Sequence, residues 1–450
     1  MNKQHFLILL LIFPISTKAQ SLQERKFGTQ QYINQIRLSD TAYVKSVADI
    51  ERYTLDFKQN GSMSEVTIPV VFHVVYAGQT PTISVADITA QVAQLNTDFN
   101  TPSNPYTSDS RYSMSGYEKE LTYLHPADNY EHFAARAARP MIKFCLPLQD
   151  PQGNQTTGIV FVPSSAVGTW GVNNGIKQSE LGGSTPWNPQ EYCNIWVTDL
   201  SDKIAGFAQM PGGQISTDGI VIDQQYFKRA DGSTPLIGGE DFAMGRTLVH
   251  LMGSYLNLYE LWNDYIYCAD DYVDDTPIHN APNYGKNEYR HVTTCEGNAV
   301  EMTMNLMDSG CDSTMYMFTW GQVARMQATL SLGGSRHGLT QTPVSCLTPI
   351  PQERAEDVIT NNASLQVRAI PNPNSGNFVV QVQSSDEKNT EARVQVFNET
   401  GLLMSEVKNV IVSGVQLNVS IYGNEWPTGI YRIRVIAGQN VQVTQVVINH

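Results

Sequence analysis

Gly245-Arg246-Thr247-Leu248-Val249-His250-Leu251-Met252-Gly253-Ser254-Tyr255-Leu256-Asn257-Leu258-Tyr259-Glu260-Leu261-Trp262 is the segment from which the remainder of the chain can be interpreted. Leu248, Val249, Met252, Tyr255 and Leu256 recur at helical spacing, which predicts an amphipathic helix. The helix is expected to stop near Asn257, because Asn is second only to Gly in tolerating the left-handed conformation that ends a helix.

The same residues fit the frame H-E-x-x-H-x-x-G-x-x-H. In that frame two His one turn apart grip zinc, the Glu between them is general base, and a Gly turns the chain toward a third His. Here the first ligand is His250, Leu251 replaces the base, Ser254 the second His, Asn257 the Gly and Glu260 the third His. Leu cannot accept a proton, and a Ser hydroxyl is a poor zinc ligand. A carboxylate such as Glu260 is an acceptable one. His250 and Glu260 are thus residual zinc positions, and no intact catalytic set is expected.

Upstream, Val66–Tyr76 (VTIPVVFHVVY) reads as a buried strand, with His73 as a satisfied core histidine. Ser84–Phe99 reads as an amphipathic helix with Ser84 as N-cap. Thr101–Tyr130 has no apolar period and reads as a surface insertion. Strands are expected at Met141–Pro147, Gly158–Val162, Asn194–Leu200 and Gly219–Asp223. Between the last two, Gly206–Gly213 suits an exposed edge strand lining a cleft, so Gly206, Phe207, Ala208 and Gln209 are candidate contacts for an extended peptide.

Downstream, Cys268–Pro277 (CADDYVDDTP) carries four Asp. Clustered carboxylates suit calcium, while turn-forming Asp in a solvated loop is the plain alternative. Phe318–Leu330 is helical, and 339–364 reads as a linker. Residues 365–450 alternate in short runs broken by turns, as in a small β-sandwich.

The chain has 450 residues, 41% hydrophobic and 16% charged, enough for two or three domains. A net charge of −14 with 29 Lys+Arg argues against nucleic acid as a partner. Residues 1–19 read as a signal peptide, with Lys3, an apolar core at Phe6–Ile15 and a Thr17-Lys18-Ala19 cleavage site. No later segment is long and apolar enough to be transmembrane. Six Cys in an exported chain point to disulfides, though spacing does not choose their pairing. Residues 20–65 read as a pro-segment or a disordered lead-in.

Several segments carry a resemblance to the pappalysin family of metzincin metalloproteases across about residues 66–335: IPVVFHVVY, FCLPLQDPQGNQTTGI, YCNIWVTDL, GFAQMPGG, TDGIVI, the His250 helix, CADDYVDDTP and NLMDSGCDSTMYMFTWGQVARM. The resemblance implies an α/β fold over 66–338, with a twisted sheet, a backing helix and an active-site helix above a Met-turn at Met307. It implies zinc at the His250 helix and calcium at Asp271, Asp275 and Thr276. It places Ser309 where the family has a Tyr that supports the oxyanion. Thr314 falls on a family Cys, with Cys311 three residues earlier, so Cys268, Cys295 and Cys311 are the disulfide candidates. Lys26-Phe27-Gly28-Thr29 is similar to a pro-segment motif whose Cys holds the zinc, with Phe27 in the Cys place.

Residues 365–450 (IPNPNSGNFVVQV, VQVFNETGLL, WPTGIYRIRVIAGQ) resemble the sorting domain of the type IX secretion system of Bacteroidota. That implies export through the periplasm and outer membrane to the cell surface or medium, with the secretion machinery as partner. The expected function is that of a secreted pseudoprotease binding peptide or protein in the former cleft. The alternative is an active zinc metalloendopeptidase with a rebuilt site, for which His279 and His291 are the nearby candidate ligands.

Overall fold

A computed structural model describes residues 24–61, 63–100, 133, 136–233, 239–263, 268–285, 291–295, 300–341, 346–347, 365–384, 390–398, 403–412, 416–424, 426–437 and 440–449. The expected signal peptide, the whole of the expected 101–130 insertion and residues 348–364 of the expected linker lie outside these residues.

Strand β1, Val66–Tyr76, runs through the centre of a seven-stranded sheet. Its first half pairs in parallel with β3 (Ile142–Pro147) and its second half with β4 (Ile159–Pro163). On its other side lie parallel β5 (Cys193–Thr198) and β7 (Ile220–Asp223), then antiparallel β6 (Gly206–Ala208) at the edge. A two-stranded β2–β8 pair (Ala137–Ala138, Phe318–Thr319) and β9 (Cys346–Leu347), antiparallel to β3, complete this part. A strand paired in parallel must be apolar on both faces, and β1 is buried at Ile68–Val75. Its His73 bonds Ser184 Oγ at 2.7 Å and Asn194 Oδ1 at 3.0 Å and stacks on Trp196. Burial lowers its pKa to about 4, so it is a neutral core histidine.

Helix α3, Val85–Asn100, backs the helix that carries His250, here α4, Arg246–Tyr255. The Asp98 carboxylate pairs with Arg246 at 3.2 Å, and Gln91 Nε2 donates to the carbonyl of Gly245 at 2.9 Å. Helix α5, Trp320–Leu330, starts with a capping box in which Thr319 and Gln322 satisfy each other's backbone N–H groups. The Asn257 expectation holds in its physics. The helix ends at Tyr255, and Asn257 turns the chain at φ +76.

Residues 24–61 are folded against this body. They carry two helices, α1, Thr29–Ser39, and α2, Thr41–Asn60, where the sequence left a disordered lead-in open. Asp40 separates them, its carboxylate accepting from Ala42 N as the N-cap of α2.

The C-terminal residues form two antiparallel sheets around one apolar core that includes Val380, Val394, Tyr431, Ile433 and Val446. One is β10–β11–β14 (Leu365–Ile370, Asn377–Ser384, Leu417–Tyr422). The other is β13–β12–β15–β16 (Leu403–Val412, Thr390–Phe397, Gly429–Ala437, Asn440–Ile448).

Gly206 has φ +152, and a Cβ there would sit 2.4 Å from the backbone oxygen of Val221 and 2.7 Å from Leu251 Cδ1. Gly206→Ala is therefore expected to lower stability by about 1–3 kcal/mol, read as a shifted urea midpoint with unchanged slope.

Candidate functional site: a zincin-type cleft covered by its own chain

His250 lies on the inner face of α4 and is fully buried. Its Nδ1 lies 3.1 Å from the carbonyls of Leu306 and Asp308, which fixes the proton on Nδ1 and leaves a lone pair on Nε2. Burial, with the nearby Arg25 charge, lowers its pKa to about 3. The imidazole is therefore neutral, and the 3.8 Å approach of Glu260 Oε1 to Nε2 is not an ion pair. Neither Nε2 nor the buried Ser254 Oγ has a hydrogen-bond partner. Leu251, in the base position, is fully buried. Met307 lies directly beneath α4, since a Cβ on Gly253 would meet its sulfur at 2.5 Å. Ser309 is buried, its N–H donating to Asp308 Oδ1 at 2.7 Å.

The frame was legible, but its covering was not. The ring of Phe27 stacks on that of His250, centroids 3.7 Å apart and planes 3° from parallel. Phe27 and Gly206 form a parallel bridge, Gly28 N donates to Gly206 O at 2.8 Å, and Ala205 N donates to Lys26 O at 2.7 Å. Ala208 N donates to Thr29 Oγ1 at 3.1 Å. Two residues earlier, Arg25 is fully buried. It pairs with Asp312, donates to Gly310 O and Thr247 Oγ1, and lies over the Phe242 ring.

This corrects the expected exposed edge at Gly206–Gly213. Strand β6 ends at Ala208, all three of its residues are buried, and its outer edge is taken by residues 26–29. Phe207 packs 5.1 Å from Tyr32 of α1, and Gln209 accepts from the Tyr32 and Thr217 hydroxyls. Alternation along β6 turns Phe207 away from the face that meets His250.

His279 and His291 do not join the site as substitute ligands. His279 is fully buried and its Nε2 accepts from Met302 N at 2.8 Å, so its proton sits on Nδ1, 3.5 Å from Asp308 Oδ2. His291 Nδ1 bonds Glu301 Oε2 at 2.7 Å. Cys268 and Cys295 are joined by a disulfide, whereas Cys311, expected among the disulfides, is a buried thiol. In the acidic loop, Asp271 accepts from Thr276 Oγ1 and Val273 N, and burial raises its pKa to about 7. Asp275 instead accepts from Thr319 Oγ1 and Gly321 N, at the start of α5.

Catalytic zinc takes three protein ligands drawn from His, Cys, Asp and Glu. The donors gathered here are one imidazole, one carboxylate and one hydroxyl, with a phenyl ring over the imidazole. Among the described residues no group of three such side chains is placed to hold a metal. Among the described residues, the donors around His250 fall short of that set.

The sequence profile described as pregnancy-associated plasma protein-A, peptidase M43, matches residues 178–331. A solved structure of a Tannerella forsythia promirolysin mutant shares 30% identity, covering 70% of this chain and 97% of that one, with a TM-score of 0.56. The chain belongs to the pappalysin family. Mature Tannerella forsythia mirolysin in complex with a cleaved peptide is 32% identical over 62% of this chain and 97% of that one, with a TM-score of 0.50. An extracellular metalloprotease of Arthroderma gypseum is 26% identical over 267 residues, 59% of this chain and 72% of its own. One from Arthroderma benhamiae is matched over 45% of its length, at 29% identity. Residues 368–449 match the secretion system C-terminal sorting domain. This pappalysin is therefore exported by the type IX route to the medium or cell surface. Among the described residues no helix is long and apolar enough to cross a membrane.

A feature that the sequence did not single out ties the covering segment to the sheet. Lys177 is buried, donates to Thr217 O at 2.6 Å, and lies 5.1, 5.4 and 5.6 Å from the rings of Tyr32, Trp196 and Phe207. Burial lowers its pKa to about 7. That is below the ordinary lysine value, so between about pH 7 and pH 10 the unfolded chain binds more protons and stability rises with pH. Lys177→Met removes this rise, so the variant's melting temperature relative to wild type should fall steadily from about pH 6 to about pH 10. In the acidic loop, with Asp271 and Asp275 engaged by protein donors, added calcium should leave the melting temperature unchanged. A calcium-dependent rise abolished by Asp271→Asn would assign the loop to the ion.

Proposed function

We propose that this secreted pappalysin has lost zinc-dependent proteolysis and acts by binding through its former cleft. The observation that carries the reading is the pair of neighbours on α4. His250 meets a phenyl ring, and Leu251 stands where a proton acceptor is required. General-base assistance is worth about 10²–10⁴-fold in rate, and the contribution of the metal is additional. Binding needs neither, because an edge strand recognises an extended segment through its backbone. The four residues Lys26–Thr29 on β6 are an instance of that mode in this very cleft.

One observation favours the alternative, an active metalloendopeptidase with a rebuilt metal site. The Nε2 lone pair of His250 and the Ser254 hydroxyl are both buried without a hydrogen-bond partner, and Glu260 Oε1 lies 3.8 Å from that Nε2. A third strong ligand is what that alternative lacks. Elemental analysis of the purified protein after zinc loading separates the two. The expected result is no stoichiometric zinc, with no difference between wild type and His250→Ala. One zinc per chain that disappears in His250→Ala would overturn the proposal, and protease assays would then follow.

A further inference from the structure

Building on that reading, we propose that residues 24–61 are not a removable cover but the permanent occupant of the cleft, so that its peptide ligand is this chain's own N-terminal segment. The hold begins at Arg25. Its guanidinium, fully buried, is met by the Asp312 carboxylate, the Gly310 carbonyl, the Thr247 hydroxyl at 3.2 Å and the Phe242 ring at 4.8 Å. Asp312 is itself fully buried. Departure of the segment would take the Arg25 guanidinium from that carboxylate and leave it to the N–H groups of Met244 and Arg246, and a buried charge stripped of its partner is strongly destabilising.

The second hold is independent and lies on α2. Glu51 takes Arg325 through both carboxylate oxygens, at 2.6 and 2.9 Å, and Arg325 in turn donates to the carbonyl of Asn257. Asn257 Nδ2 donates to Thr54 Oγ1 at 3.3 Å, so the turn that ends the site helix is bonded to the segment directly. Tyr53 OH donates to Leu332 O at 2.6 Å. Between these holds, Tyr32 packs with Trp170, Trp196 and Phe207, and Ile33 and Tyr43 with Met210 and Tyr259. All of this surface would be bared on release, which opposes it.

The connection to the body is also secured. Ser64 accepts from Gln327 Nε2 at 3.0 Å through its carbonyl, and Glu65 pairs with Lys143 at 2.7 Å. Nothing in this set of contacts is undone by binding a metal, since none of it is a bond to one. The cleft and its occupant form one folding unit.

The test uses the full chain with a site-specific protease sequence inserted after Gly61. Uncut, it should melt with wild type, which shows that the insertion is tolerated. After cutting, the 24–61 fragment is expected to co-elute with the body in gel filtration, and to be released when the insertion is combined with Arg25→Ala and Phe27→Ala. A body that unfolds once the fragment is stripped away also supports the proposal. A fragment that separates from a body still folded by circular dichroism, with an unchanged melting temperature, would overturn it. So would a secreted form whose N-terminal residue lies beyond Asn60. Zinc is measured on the same cut sample. Release without zinc uptake defeats this inference alone, whereas stoichiometric zinc defeats the loss of proteolysis whether or not the fragment stays.

Discussion

The ion pair between Arg25 and Asp312 joins three parts of the molecule that are far apart in sequence. Asp312 belongs to the loop after Met307, its second oxygen accepts from Met244 N and Arg246 N at the start of α4, and its partner comes from the N-terminal segment. Neither charge reaches water. A pair so placed adds little net stability compared with an apolar packing, but it tolerates no half-measure, because either charge alone is severely destabilising. The covering segment, the site helix and the Met-turn loop are therefore constrained to be in place together.

Much of the fold was written in local pattern. The β-branched run read at Val66–Tyr76 is a strand with those bounds, the helix read at Ser84–Phe99 spans Val85–Asn100, and the Leu248–Leu256 stripe lies on the helix Arg246–Tyr255 and the turn after it. The ligand frame is likewise legible as spacing along one helix, Arg246–Tyr255. What sequence could not reach was pairing at a distance. Phe27 and His250 are separated by more than two hundred positions, as are Arg25 and Asp312, and no periodicity links them. The Gly-rich run at Gly206–Gly213 does look like an open edge, and its closure depends on a strand from elsewhere. His279, a candidate ligand by its place in the sequence, is instead buried with its ring nitrogens turned to Met302 N, Asn283 and Asp308.

The substitutions on α4 are coherent when taken with their cover. Removing a Glu and a His from a metal site leaves a deep polar pocket, and unpaired polar groups in such a pocket are expensive. Leu251 fills part of the space against Gly206, and the Phe27 ring lies flat on the remaining imidazole. The imidazole keeps a use that owes nothing to metal. Through Nδ1 it ties α4 to the carbonyls of the loop that carries Met307. That architectural role stands whether or not a metal is held.

The seating of residues 26–29 on β6 also bears on how this molecule behaves among its own copies. A sheet ending in unpaired N–H and C=O groups is a template onto which another chain can add. Natural sheets blunt such edges with charge, proline or a covering strand. Here β6 is supplied with its neighbour from the same polypeptide, at fixed register and without dependence on concentration. The segment that looks like a leftover of protease latency thereby doubles as a guard against edge-to-edge aggregation.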